Sequence, residues 1–191
     1  MKKLIMMAVA ALMATTSIHA QNAGEMFLKP MVGPTLTTMT GDGVEDAKMK
    51  FGVAAGVEFG YDFSDNFGLS IGALYTMQGA KNDIASVKLE YINVPILANV
   101  YVTKGLALKA GPQIGFMTKA KSDDFNMKPL CNKVDFSIPV GISYEFSNFI
   151  IDARYNFGIS KINKNEVDGW RSHGSARNGV IMLTVGYKIP L

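Results

Sequence analysis

Phe51-Gly52-Val53-Ala54-Ala55-Gly56-Val57-Glu58-Phe59-Gly60-Tyr61-Asp62-Phe63 is the stretch that decides the fold. Phe51, Val53, Ala55, Val57, Phe59, Tyr61 and Phe63 share one parity. Gly52, Ala54, Gly56, Glu58, Gly60 and Asp62 share the other. Side chains of a strand point to opposite faces with a period of two, so one face here is greasy and aromatic and the other small or charged. If the greasy face lies outside, its partner is lipid rather than water.

The same rhythm recurs along the chain. Strands are predicted at 26–37, 50–63, 66–78, 89–102, 105–117, 133–146, 149–160 and 179–189, an even count of eight. Ser64-Asp65, Thr103-Lys104 and Ser147-Asn148 are tight connections built from small or polar turn formers. The other connections, 38–49, 79–88, 118–132 and 161–178, are long. They carry Gly41-Asp42-Gly43, Lys81-Asn82-Asp83, Ser122-Asp123-Asp124 and Ser172-His173-Gly174-Ser175. Short turns on one side and long polar loops on the other describe a closed, up-and-down, antiparallel transmembrane β-barrel of the bacterial outer membrane. Both termini then fall on the short-turn, periplasmic side. A helical reading fails because glycine recurs throughout and β-branched and aromatic residues dominate the segments.

Parity extends the outward face to Phe67, Leu69, Ile71, Ala73, Tyr75 and Met77 on the third strand. Leu106, Leu108, Ala110, Pro112, Ile114 and Phe116 follow on the fifth, and Val134 through Phe146, at even numbers, on the sixth. Phe149, Ile151, Ala153, Tyr155, Phe157 and Ile159 continue it on the seventh, and Ile181, Leu183, Val185, Tyr187 and Ile189 on the eighth. Aromatics gather at the strand ends. Tyr61, Phe63, Phe67, Phe146, Phe149 and Tyr187 are expected near the short turns, and Phe51, Tyr75, Phe116, Phe136 and Phe157 near the long loops. Two aromatic rings around an aliphatic band match the girdles of a membrane barrel.

The opposite parity collects Lys29, Glu58, Gln78, Asn93, Lys109, Gln113, Asp135, Glu145, Asp152, Arg154 and Lys188. An eight-stranded barrel is just wide enough inside to be filled by side chains, and confined charges are expected to pair. Glycines in the same rows, among them Gly56, Gly60, Gly111, Gly115, Gly141, Gly158 and Gly186, leave room for the long side chains. The structural rival is a soluble, lipocalin-like barrel with its apolar residues inside. The size, glycine content and charge of the polar face suit a narrow lumen instead.

Residues 1–20 read as a cleaved signal peptide, with Lys2 and Lys3 as a basic start, Leu4–Ala14 as a short apolar run and Ala20 at the cut. That run is too short to cross roughly 30 Å of hydrocarbon. Residues 21–191 then form one domain. Of 19 basic residues, Lys2 and Lys3 leave with the leader, so 17 face 16 acidic ones. A near-neutral mature chain carries no electrostatic footprint for nucleic acid. The single cysteine, Cys131, rules out an internal disulfide and reads as an incidental loop thiol.

No cofactor, metal or catalytic residue is expected. His173, with Ser172 and Ser175 in the longest loop, lacks a frame that would hold catalytic geometry. Asp42, Glu45 and Asp46, like Asp123 and Asp124, lack the alternating ligands and central glycine of a calcium loop. Trp170, beside Arg171, is open to either membrane anchoring or partner contact.

Leu89-Glu90-Tyr91-Ile92-Asn93-Val94-Pro95-Ile96-Leu97-Ala98 resembles a hallmark of the outer membrane protein β-barrel domain family, the porin-like, PorT-like group of small eight-stranded barrels. Gly79-Ala80-Lys81, Leu108 to Gly115, Asp152 to Ile159 and the closing Arg177-Asn178…Val185-Gly186-Tyr187-Lys188 match it in order. The resemblance implies an integral outer-membrane protein, inserted with the general barrel-insertion machinery and surrounded by outer-membrane lipid. It implies no enzyme activity. PorT itself is associated with protein secretion, so an accessory role in secretion or envelope assembly is one alternative, and a narrow pore for small solutes is another. The leading expectation is a monomeric barrel with a filled polar lumen. Its role is structural, or surface recognition of an unnamed protein partner through loops 38–49, 118–132 and 161–178. One departure stands out: the chain ends Ile189-Pro190-Leu191, without the terminal aromatic that aids insertion, and Tyr187 is the candidate substitute.

Overall fold

Thirteen short and long strands form in the computed structural model, which describes residues 23–41, 48–81, 86–122, 125–162, 166–167, 170–171 and 176–191. They are β1 (Met26–Thr40), β2 (Lys50–Ser64), β3 (Phe67–Lys81), β4 (Ser86–Thr103), β5 (Leu106–Ala110), β6 (Gln113–Ser122), β7 (Phe125–Asn126), β8 (Val134–Phe146), β9 (Phe149–Gly158), β10 (Glu166–Val167), β11 (Trp170–Arg171), β12 (Arg177–Tyr187) and β13 (Ile189–Pro190). The signal peptide, the loop acids Asp42, Glu45, Asp46, Asp123 and Asp124, and the Ser172-His173-Gly174-Ser175 stretch lie outside the described residues.

Eight antiparallel staves close into a barrel. Each stave pairs with the next in sequence, β5 and β6 together form the fifth, and β12 returns to β1 to seal the ring. β13 completes the seal below β12 by pairing with β1. Among the described residues no helix is long and apolar enough to cross a membrane; strands make the crossing.

The alternation in the sequence becomes the wall itself. Phe51 is 69% exposed, Phe157 53% and Val185 50%, whereas Glu58 and Lys29 on the opposite parity are 0% and 1%. The greasy face is outside, and the lipocalin-like arrangement is excluded. At the short-turn end Tyr61, Phe63 and Phe67 form a chain of ring contacts, and Phe146, Phe149 and Tyr187 form another. Two turns at that end carry backbone in the left-handed region, at Ser147 (φ 54°) and Gly105 (φ 82°). Glycine takes that region without steric cost.

Several expectations need correction. The expected 79–88 loop is largely strand: β3 and β4 pair through Gly79↔Lys88, Ala80↔Val87 and Lys81↔Ser86. Above the membrane the outward positions turn charged, as at Lys88 and Glu90, while Val87 and Leu89 pack inward, so the lipid-facing apolar parity ends before the ladder does. The 118–132 loop likewise holds the end of β6, the short β7 and a 3-10 turn at Lys128–Leu130. The fifth strand is not continuous but breaks at Gly111-Pro112. Cys131 lies in the connection between β7 and β8, as a loop thiol, but it is buried beside Leu89, Tyr91, Met117, Ala120 and Ile162 under the extended rim.

Proline explains where the ladders fail. Proline has no N–H to donate, so it opens a gap in any seam its nitrogen faces. β3–β4 pairing stops at Ile71↔Ile96 and resumes at Leu74↔Asn93, across Pro95. Pairing of β4 with the fifth stave skips from Ala98↔Ala110 to Pro95↔Gln113, across Pro112. The fifth stave and β8 skip from Ala110↔Val140 to Gln113↔Ser137, across Pro139. β1–β12 has a matching gap between Val32↔Val185 and Thr35↔Met182, at Pro34. By contrast β2–β3, β8–β9 and β9–β12 pair residue by residue over long runs. A groove of about 390 Å³ lies beside the gaps on the outer wall. Ala98, Ala110 and Gly141 leave its floor open, with Val100, Leu108, Val140 and Ile142 around it.

At the break in the fifth stave, Ile96 N–H donates to the Pro112 carbonyl at 2.9 Å and Gly111 N–H to the Pro139 carbonyl at 3.3 Å. Hydrogen exchange in micelles is expected to run about tenfold or more faster at the Ile96 and Gly111 amides than at Ile142 and Ser143. Equal protection at all four positions would show that the gaps do not weaken the wall.

Candidate functional site

Inside the barrel, five charged side chains from four strands meet. Lys29 comes from β1, Glu58 from β2, Lys109 from β5, and Asp152 and Arg154 from β9; all five sit on inward-facing parity and are buried. Lys29 Nζ lies 2.5 Å from Glu58 Oε2 and 3.5 Å from Asp152 Oδ2. Lys109 Nζ approaches the same two carboxylates at 3.7 Å and 3.0 Å. Arg154 donates to Asp152 through Nε at 2.5 Å and Nη2 at 2.7 Å, and its Nη2 also contacts Glu58 Oε1. Three cations thus share two carboxylates, which satisfies the pairing that buried charge requires.

Glycine makes the room. A Cβ on Gly72 would stand 2.9 Å from Glu58 Cγ, one on Gly141 would stand 2.8 Å from Arg154 Cγ, and one on Gly186 would stand 2.8 Å from Lys29 Cγ. Each long side chain lies across a neighbouring strand where a methyl would block it.

A second charged group occupies the short-turn end. Lys188 Nζ lies 3.5 Å from Glu25, 3.5 Å from Glu145 and 3.9 Å from Asp62, and stands 4.9 Å from the centre of the Phe27 ring. The Tyr101 hydroxyl donates to Asp62 at 2.8 Å. Between this group and the loop end run neutral bonds: Asn93 and Gln78 both donate to Thr76 at 2.8 Å, and Gln113 donates to Ser137 at 2.9 Å.

Among the described residues, Asp135 departs from the expectation that every inward charge finds an opposite one. It accepts from the Ser160 hydroxyl at 2.6 Å and from Asn178 Nδ2 at 3.4 Å. The lumen is also less uniformly polar than expected. Met31, Ala54, Leu74 and Met182 form one apolar layer, and Leu89, Tyr91, Met117, Ala120, Cys131 and Ile162 a second near the loops. Parity already placed Met31, Leu74 and Met182 inside. Attention to charge alone passed over them.

The exposed rim carries a further set. Tyr75, Ile92 and Phe116 form an outward row at the loop-side girdle. One row above it, Glu90 faces Lys119, which it binds at 3.1 Å, and also bonds Tyr75. Another row up, Lys88 stands directly opposite Lys121. Among the described residues no group of three or more His, Cys, Asp or Glu side chains is placed to hold a metal ion.

A closed eight-stranded barrel with a lipid-facing apolar wall, two aromatic girdles and a charged interior is an integral protein of the outer membrane. The sequence profile of the outer membrane protein beta-barrel domain family matches residues 15–164, and the chain belongs to that family. No curated protein sequence resembles it significantly. Among solved structures, the Neisserial surface protein A is similar over 86% of this chain and 97% of its own, with a TM-score of 0.55 and 15% identity. The attachment invasion locus protein Ail of Yersinia pestis is similar over 87% and 99%, with a TM-score of 0.50 and 18% identity. These similarities establish the shared fold.

Proposed function

We propose that this outer-membrane barrel neither conducts solutes nor catalyses a reaction, and that its work is structural or surface recognition through the loops around 38–49, 118–132 and 161–178. The observation that carries this reading is the central cluster. Five charged side chains from β1, β2, β5 and β9 span the interior at contact distances of 2.5–3.7 Å. The Lys188 group below it and two apolar layers inside the wall occupy further sections of the lumen, which supports a barrel closed to solutes. The barrel is a monomer in this reading, presented to outer-membrane lipid by its girdles.

Planar-bilayer recording tests the proposal. The refolded protein is expected to give a flat trace. Sustained unit currents that vanish when the protein is left out would make it a narrow pore and overturn the reading.

A further inference from the structure

We propose that Lys88 and Lys121, assisted by Lys119, form a binding site for the phosphate group of a phosphorylated lipid in the outer leaflet. The site goes beyond surface recognition by the loops, because it lies on the lipid-facing wall.

The first observation is a bulge. β4 and β6 pair as Tyr91↔Met117 and then as Glu90↔Lys119, so Thr118 is an extra residue with no partner of its own. Its hydroxyl donates to the Glu90 carbonyl at 3.0 Å and holds the irregularity in place. A bulge shifts which side chains point outward. Ile114 and Phe116 face outward below it, Thr118 and Lys119 are both exposed at it, and above it Ala120 is buried while Lys121 is exposed. Were Thr118 paired as an ordinary outward residue, strict alternation would turn Lys119 and Lys121 into the lumen. The bulge therefore aims two lysines at the membrane interface.

The second observation is the company they keep. Lys88 and Lys121 are directly opposed across the ladder, where like charges destabilise a strand pair. On its other side Lys88 faces Gly79. Among the described residues, the neighbouring acid Glu90 is already engaged by Lys119 at 3.1 Å. Lys128 Nζ, bonded to the Thr118 carbonyl at 3.0 Å, adds a further cation behind the bulge. Among the described residues, three outward ammonium groups against one carboxylate leave an excess of positive charge suited to a phosphate monoester, which carries about −1.5 to −2.

Depth selects the source of that phosphate. Lys88 and Lys121 lie two rows above Ile92 and Phe116, which is about 13 Å along a strand and about 10 Å in height at the usual tilt. That is the headgroup layer above the loop-side girdle, and lysine stems can bend toward it. A phosphate fixed to an outer-leaflet lipid sits there permanently.

The test is retention of lipid by the mature barrel in detergent, read by native mass spectrometry. The probes are phosphorylated lipid A and the same lipid A with its phosphates removed. Wild-type protein is expected to retain the phosphorylated form, and Lys88→Ala/Lys121→Ala to lose about tenfold or more of it. Lys88→Arg/Lys121→Arg should retain it, and Lys104→Ala, at a periplasmic turn, should behave as wild type. An unchanged heat-modifiable band shows that each variant is folded. Equal retention by wild type and the double alanine variant, or of both lipids by the wild type, would overturn the site. Binding of inorganic phosphate without retention of either lipid would assign it to a free anion and overturn the lipid assignment.

Discussion

Glu58→Gln is expected to cost about 3–5 kcal/mol of barrel stability, the range found when one partner is removed from a buried ion pair. Glu58 faces Lys29 at 2.5 Å, Lys109 at 3.7 Å and Arg154, all inside the wall. Removing its charge leaves three cations around Asp152 alone. Glutamine keeps the shape, so the loss reports charge rather than packing. Lys29→Met provides the contrast. It takes one cation from a cluster that has one in excess, and should cost at most about half as much. Urea unfolding of protein refolded in micelles, followed by the heat-modifiable band, measures both. Equal costs for the two variants would show that the excess of cations over carboxylates does not set the cost.

Deletion of Ala120 is expected to destabilise the barrel by about 3 kcal/mol or more, because either way of closing the gap turns a lysine inward. Lys121 takes the inward place beyond an intact bulge, or the bulge is lost and Lys119 takes it; both put an ammonium group into the apolar layer of Leu89, Met117, Cys131 and Ile162. Deletion of Thr118 instead removes the unpaired residue and leaves Met117 inward, Lys119 outward, Ala120 inward and Lys121 outward in unbroken alternation. It should cost no more than Thr118→Ala, which loses only the bond to the Glu90 carbonyl, about 1 kcal/mol. The same unfolding experiment separates the two deletions. Equal costs for them would show that Thr118 is not the residue that sets the direction of the lysines.

The wall was legible in the sequence because a membrane barrel writes its two faces as two parities. Every member of the central cluster could be placed inside from its number alone. Their partners could not. Lys29 and Asp152 are 123 residues apart and meet only because the ring closes and the two strands present them at one height. Asp135 illustrates the same limit, since its hydroxyl partner Ser160 sits just beyond the end of β9. The bulge left no trace of its own: Met117-Thr118-Lys119-Ala120-Lys121 continues a plain alternation, and the shift shows only against the register of β4. The rim was read as loop because its outward positions turn charged once the strands rise above the lipid, as at Lys88, Glu90, Lys119 and Lys121, while the apolar residues move inside. His173 and Trp170 gain no structural frame, as the side chains of that loop are outside the described residues.

The mid-strand prolines bear on a stage of this protein's life that precedes the barrel. An outer-membrane chain crosses the periplasm unfolded, carrying apolar alternating segments that could template one another into aggregates. Pro30, Pro34, Pro95, Pro112 and Pro139 fall inside four of the eight staves, so none of those four offers an uninterrupted row of donors to another copy. Such breaks guard a sticky strand against edge-to-edge pairing. The closed ring tolerates them, because each gap is flanked by intact pairs and faces lipid, where no competing strand arrives. The same residues that thin the finished wall keep the travelling chain from sticking to its neighbours.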